Sequence, residues 1–219
     1  LLPTLNGSSL NSNTAAVTLP LAFDSTGAAS LNLAYNDAGV LGITAQTTIT
    51  DSAAGTLSVS GSDNVAVLPA KILLTAAGKT ACTGSSDTDY ADCAVYKTVG
   101  QPFTLSAKAG YLSGSTWNTT ANFSTSHLAA SALPLVQHKL VAPSAGTLPA
   151  LAATNLSFSA GTSSASLSES DVGVYQYGVT DFVPYSAYQN ESPQKTVALS
   201  WSDPVGRFIP AKLQATAVT

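Results

Sequence analysis

Run after run of this chain alternates apolar and polar residues with a period of two, and no stretch sustains the spacing of an amphipathic helix. The alternation covers Ala28 to Ala34, Leu41 to Ile49, Thr56 to Ser60, Phe103 to Ala109, Val172 to Val179 and Thr196 to Trp201. Each run is bounded by Gly, Asn, Asp, Ser or Pro. Successive side chains of a strand point to opposite faces, so these runs are expected to be half-buried antiparallel strands. Composition argues against helices. Only 9% of the residues are charged, against roughly 25% in an average soluble protein. Ser, Thr, Ala and Gly stand where Lys and Glu would coat the wet face of a helix. A short helical turn is expected only within Ser126 to Leu135. With 45% hydrophobic residues, the 219-residue chain has the material for a core.

The strands also repeat. Between residues 19–45 and 154–180, Phe23 falls near Phe158, Leu33 near Leu167, Asp37 on Asp171, Gly39 on Gly173 and Val40 on Val174. Residues 67–76 (VLPAKILLTA) recur as residues 208–217 (FIPAKLQATA), with Pro69, Ala70 and Lys71 matching Pro210, Ala211 and Lys212 without a gap. The second match has the longer offset, which leaves room for a loop of about seven residues, expected around Pro184 to Pro193. The repeat is therefore roughly 140 residues long, and the chain holds about one and a half of them. The expected organisation is a partial unit over 1–66, a full unit over 67–207 and the first strand of a following unit over 208–219. Pro69, Lys71, Arg207, Phe208, Pro210 and Lys212 then mark the module junctions. A Pro opening a strand suits a handover, because it has no N–H to give to the ladder. In the shared Asp-x-Gly, the carboxylate is expected to fold onto nearby backbone N–H groups while Gly supplies a permissive φ; ligation of Ca²⁺ is the alternative role for the Asp. A chain opening on Leu1-Leu2-Pro3, with neither initiator Met nor signal peptide, is expected to be a piece of a longer precursor.

Cys82 and Cys93 lie close together in a polar stretch. A disulfide closes such a span easily, and two near cysteines in a charge-poor, Ser/Thr-rich chain favour an oxidising compartment. Two reduced structural thiols are the rival reading. Between them, Asp87, Asp89 and Asp92 put three carboxylates on one loop. Ca²⁺ takes six to eight oxygens, and neither an EF-hand Gly nor a bidentate Glu accompanies these residues, so a solvated loop is the main expectation and a metal site the weaker one. No other cofactor is expected. The net charge is −4 and the eight basic residues are scattered, which argues against a row of phosphate contacts and a nucleic-acid partner. No apolar run approaches the ~20 residues of a membrane helix.

Catalysis has little to work with. A Ser-His-Asp triad needs a His oriented by an acid beside an exposed nucleophile; there are two histidines, His127 and His138, and no Gly-x-Ser-x-Gly elbow. Both are expected on a loop or strand surface. Glu169 and Glu191 are the only glutamates. Their spacing does not suggest a pair facing across a sugar, and a strand edge is the expected home of both. Aromatics gather at Tyr175, Tyr177, Phe182, Tyr185 and Tyr188, with Trp117 and Phe123 as a second group. Tyr175 and Tyr177 share one strand face. Packing between sheets or modules is the favoured role, and stacking on pyranose rings the alternative. Arg207, the sole arginine, is expected to pair with Asp203 or a nearby carbonyl.

Four motifs in order carry a family resemblance. Tyr35-x-Asp37-x-Gly39, with Ser168-Glu169-x-Asp171-Val172-Gly173 as its later counterpart, is the first. Val95-Tyr96-x-x-x-Gly100-Gln101-Pro102-Phe103-Thr104-Leu105 is the second, Asn118-Thr119-Thr120-Ala121-Asn122-Phe123 the third, and Val205-Gly206-Arg207-Phe208-Ile209-Pro210 the fourth. Over roughly residues 20 to 215 the chain resembles the MshQ-like proteins encoded beside mannose-sensitive haemagglutinin pili, a type IV pilus family of Gram-negative bacteria. It departs from them at Val65-Ala66-Val67, where Gly-Arg-Phe would stand, and at Ala38, where Val would stand. The family's lectin-like module has no counterpart here. The resemblance implies an all-β fold of tandem immunoglobulin-like β-sandwich modules, the first incomplete, in an extracellular, pilus-linked protein. It brings no catalytic residues. The expected function is a non-catalytic structural or adhesive module whose partners are neighbouring modules or pilus subunits. The alternative is a module that binds surface glycans or a host receptor through an exposed aromatic strand face. The repeat also permits the strand Ile209 to Val218 to complete the first unit of a neighbouring copy.

Overall fold

The computed structural model describes residues 4–5, 8–9, 21–53, 55–80, 82–84, 86–128, 133–180, 197 and 200–212. The chain divides into two compact units, Leu1–Leu68 and Pro69–Thr219.

In the first unit β1 (Thr4–Leu5), β2 (Ser8–Ser9) and β3 (Leu33–Ala34) form a small antiparallel sheet in the order β2-β1-β3. The alternating run before β3 is strand only at its end, since Ala28 to Asn32 join no ladder. Upstream, the Asp24 carboxylate caps a turn by accepting the N–H groups of Thr26 and Ala28 at 2.8 and 3.0 Å. β4 (Gly39–Asp51) and β5 (Gly55–Val67) then form a long antiparallel hairpin, in register from Gly39–Val67 to Asp51–Gly55.

The second unit is a sandwich of two sheets. One consists of β6 (Lys71–Ala76), β8 (Phe103–Ser113), β9 (Thr116–Thr119) and β12 (Thr162–Leu167), in the order β12-β8-β6 with β9 also on β8. The other consists of β7 (Lys97–Thr98), β10 (Leu133–Ala142), β11 (Thr154–Leu156), β13 (Gly173–Val179), β14 (Ser200–Trp201) and β15 (Val205–Ile209). Its order is β11-β10-β13-β15-β7, with β14 also on β13. The alternation along β6 places Ile72, Leu74 and Ala76 inward, and that along β8 places Phe103, Leu105, Ala107 and Ala109 inward. Opposite them lie Leu133, Leu135, Tyr175, Tyr177 and Phe208. Rings interlock across the gap: Phe103 meets Tyr177 at 5.7 Å and Phe208 at 5.4 Å between centroids. Ser200 ties the sheets at one edge, its hydroxyl accepting the N–H of Ile72 at 3.1 Å.

The two Asp-x-Gly sites fold alike. Asp37 accepts the N–H of Ala38, and Asp171 that of Val172, each at 2.7 Å. Gly39 and Gly173 follow with φ of +152° and +148°, a region essentially reserved for glycine, and each opens a strand. The likeness extends to register. Gly39 pairs with Val67, and Gly173 pairs with Phe208. In the sequence repeat Gly39 matches Gly173 and Val67 matches Phe208, so both units close the same pair of strands at the same point.

One expectation about boundaries changes. β15 runs unbroken across the expected border between Arg207 and Phe208, paired with β13 on one side and with β7 on the other. Phe208 is 1% exposed, so it belongs to the core of the second unit rather than opening a following one. The expected helical turn is a single 3₁₀ turn at Thr125–His127.

Candidate functional site

Several of the singled-out residues converge on the outer face of β10, β13 and β15. Cys82 and Cys93 are joined as a disulfide, with Cα atoms 5.5 Å apart. The loop they close carries α1 (Asp87–Ala91), a single short helix started by a reciprocal cap: the Ser86 hydroxyl accepts the Asp89 N–H at 3.2 Å, and the Asp89 carboxylate accepts the Ser86 N–H at 3.0 Å. Tyr90 turns inward and packs with Cys82 onto Ala142 and Val174, its hydroxyl donating to the Gly84 carbonyl at 2.8 Å. Asp87 pins the helix to the loop after β10, accepting the N–H of Ser144 at 2.9 Å and its hydroxyl at 2.8 Å. Arg207, from β15, donates from Nη1 to the Ala91 carbonyl, the last residue of the helix. The carbonyl option of the sequence reading therefore holds, whereas Asp203 lies 3.9 Å from Lys79 instead.

Beside this helix opens a cleft of about 430 Å³ walled by Tyr90, Pro143, Val174, Arg207, Phe208 and Pro210, among others. It brings together Asp87, Arg207, Phe208 and Pro210 from the sequence-derived set. It does not bring in Lys71, whose ammonium sits 5.8 Å from the Trp117 ring centroid at the β8–β9 end of the other sheet. Pro69 is buried, whereas Pro210 and Lys212 are exposed. Among the described residues no three His, Cys, Asp or Glu side chains converge in a way that could hold a metal. Asp87 and Asp89 act as hydrogen-bond acceptors for backbone and hydroxyl groups.

Tyr175 and Tyr177 take the packing role rather than the sugar-stacking alternative. Both are 0% exposed, because their face of β13 looks into the sandwich and its other face lies under the disulfide loop. They offer no surface to a sugar. Phe182, Tyr185 and Tyr188 lie outside the described residues. Tyr177 instead donates its hydroxyl to Glu169, which is 3% exposed and also accepts Gln137 Nε2 at 2.9 Å. The expected strand-edge home of Glu169 is thus replaced by a buried one. Burial raises its pKa, and the two hydrogen bonds pull in the opposite direction. Burial, reinforced by the nearby Glu169 charge, pushes both Tyr175 and Tyr177 well above the usual phenol range. No signal in the sequence marks this cluster, whose members come from β10, β13 and the loop between β12 and β13.

The sequence reading also missed a surface feature. His138 on β10 and Trp201 on β14 stack in parallel, with centroids 4.6 Å apart. His138 is exposed, as expected, and Trp201 is 51% exposed. The signal was present in principle: both sit in alternating runs that end up two strands apart across β13.

The fold and this geometry define a class, a pair of immunoglobulin-like β-sandwich modules with a disulfide-stapled loop. More particularly, two family models match in succession: "Domain of unknown function (DUF6701), first Ig-like domain" over residues 2–62 and "DUF6701, second domain" over residues 68–171. Together they cover most of the chain, which is similar to the DUF6701 family in both of these stretches. No curated protein and no solved structure matches it.

Proposed function

We propose that the chain is a non-catalytic structural or adhesive part of an extracellular bacterial surface protein, associated with type IV pili. The observation that carries this reading is the repeated register: the Gly39–Val67 and Gly173–Phe208 pairs close equivalent strands in successive modules, as in an array built by duplicating one unit. The Cys82–Cys93 disulfide supports an oxidising location. The principal charged and aromatic groups of the second unit also support it, since they are spent on capping, loop anchoring and core packing. Partners on this reading are neighbouring modules or pilus subunits. The test is to label intact cells with an antibody to the chain and to delete its gene. Surface labelling with loss of piliation or adherence is expected; a cytoplasmic protein with reduced thiols, or a deletion that leaves both properties intact, refutes the reading.

A second reading rests on the Trp201–His138 stack. A half-exposed indole held in a parallel stack with an imidazole is a platform for the apolar face of a pyranose. Glycan-array binding that is lost in Trp201→Ala with no change in melting temperature supports it, and a blank array with the parent chain removes it.

A further inference from the structure

The β4–β5 hairpin has two unlike faces. On one, the cross-strand pairs are Gly42–Asn64, Thr44–Ser62, Gln46–Ser60, Thr48–Ser58 and Thr50–Thr56. On the other, Leu41 pairs with Val65, Ile43 with Asp63, Ala45 with Gly61, Thr47 with Val59 and Ile49 with Leu57, so the face is apolar except at Asp63 and Thr47. Ile49, Leu57, Val59 and Val65 are 53%, 60%, 47% and 42% exposed. A two-stranded sheet with one polar face and one mainly apolar face is the pattern of a sheet covered on one side, with Asp63 and Thr47 as the polar exceptions on the apolar face.

The shared register identifies the face. Leu41, Ile43 and Ala45 take the places of Tyr175, Tyr177 and Val179, and Val67 that of Phe208. Those four counterparts are at most 2% exposed and line the inside of the second unit's sandwich. Phe23 and its neighbour in the repeat, Phe158, differ in the same sense, at 66% and 3% exposed. The apolar side of β4–β5 is an inner sandwich face turned to solvent.

We infer that two copies of this chain pack these faces together, closing a four-stranded sandwich from two hairpins. The occupant must be a sheet with one apolar face and the same twist, and a second copy supplies one; aligned sheets of like twist pack about 10 Å apart. A 13-residue strand rises ~3.4 Å per residue, so the face is roughly 44 Å long and 12 Å wide, or about 500 Å². Two such faces bury about 1,000 Å² in all, at the threshold for a specific interface, which corresponds to a reversible dimer. The pairing is isologous, so it stops at two copies. This inference stands on the register of the two units and not on where the protein works, so its failure would leave the proposed function untouched.

The experiment is sedimentation velocity on the full chain over a dilution series that starts at about 1 mM, high enough to populate even a weak dimer. The parent is expected to shift from monomer to dimer mass. Ile49→Lys combined with Leu57→Lys changes two side chains already exposed in the monomer, and this variant is expected to stay monomeric throughout. Its directly opposed lysines are matched in the polar-face variant, whose pair is also directly opposed, so a loss of folding would show in both. Thr48→Lys combined with Ser58→Lys, on the polar face, is expected to dimerise like the parent, as is a chain ending at Lys212. A parent that is monomeric at every concentration overturns the inference. So does association that survives Ile49→Lys/Leu57→Lys, that vanishes with the polar-face variant, or that vanishes when residues 213–219 are removed; the last outcome would assign the contact to the C-terminal segment.

Discussion

Truncating Phe208 to Ala tests the second unit where its two sheets meet. The ring is 1% exposed and lies 5.6 Å from Tyr96, 5.4 Å from Phe103 and 5.8 Å from Tyr175, centroid to centroid. Removing a buried Phe costs about 3–5 kcal/mol. The three ring pairs put Phe208 at the upper end of that range, since each contributes roughly 0.5–1.5 kcal/mol beyond its area. In a unit of this size each kcal/mol lowers the melting temperature by about 2–4 °C, so Phe208→Ala should lose about 10–20 °C. Val67 occupies the matching place in the first unit but is only half-buried. Val67→Ala removes two methyl groups that are partly wet already and should cost below about 1 kcal/mol. Thermal unfolding of the parent and both variants by circular dichroism and calorimetry makes the comparison. If Phe208 opened a following module, its loss would leave the sandwich intact. A Phe208→Ala melting temperature within about 2 °C of the parent would therefore place Phe208 outside the core of this sandwich.

Glu169 sets a pH dependence. Burial raises its folded-state pKa above the ordinary 4.5, so its contribution to stability is full below that value and is lost as pH rises through the folded pKa. Urea midpoints should fall across that window in the parent and stay flatter in Glu169→Gln; equal slopes would contradict the assignment. Replacing Cys82 and Cys93 together by Ser should cost about 3 kcal/mol of loop-closure entropy, with faster amide exchange at Tyr90 as α1 loosens; unchanged exchange there would show the helix docked without the staple. Gly39→Ala and Gly173→Ala both force Ala into a φ near +150°, at about 1–3 kcal/mol each. At Gly173 the new Cβ also meets the Ala142 carbonyl at 2.8 Å, whereas at Gly39 nothing lies within 4 Å. Calorimetry should therefore find Gly173→Ala the more damaging, and the reverse order would count against the packing described.

Much of the fold was legible because period-two alternation reports a strand without knowledge of its neighbours. Leu41 to Ile49, Phe103 to Ala109 and Val172 to Val179 lie within or almost within β4, β8 and β13. The repeat revealed more than strands, since the positions it matched turn out to be equivalent in register, Gly39–Val67 in one unit and Gly173–Phe208 in the other, although it placed Phe208 in a following unit. What alternation cannot report is whether a second layer covers the other face. Tyr175 and Tyr177 were legible as packing residues on one face of a strand, but not that β13 is buried on both sides because the disulfide loop lies over its outer face. Glu169 was illegible for a similar reason: its partners, Gln137 and Tyr177, approach only when β10 and β13 pair. Arg207 was noticed for its rarity, but its partner, the carbonyl of Ala91, carries no side-chain signature at all.

The disulfide has one more consequence, for a protein pulled from its ends. Cys82 and Cys93 are separated by 11 positions and held 5.5 Å apart. Those residues would span about 37–40 Å if fully drawn out. The oxidised second unit therefore has a contour length shorter by roughly 30 Å than the reduced one. In single-molecule stretching, reduction should lengthen the unfolding step by that amount, so the redox state of one bond sets how far this module yields under load.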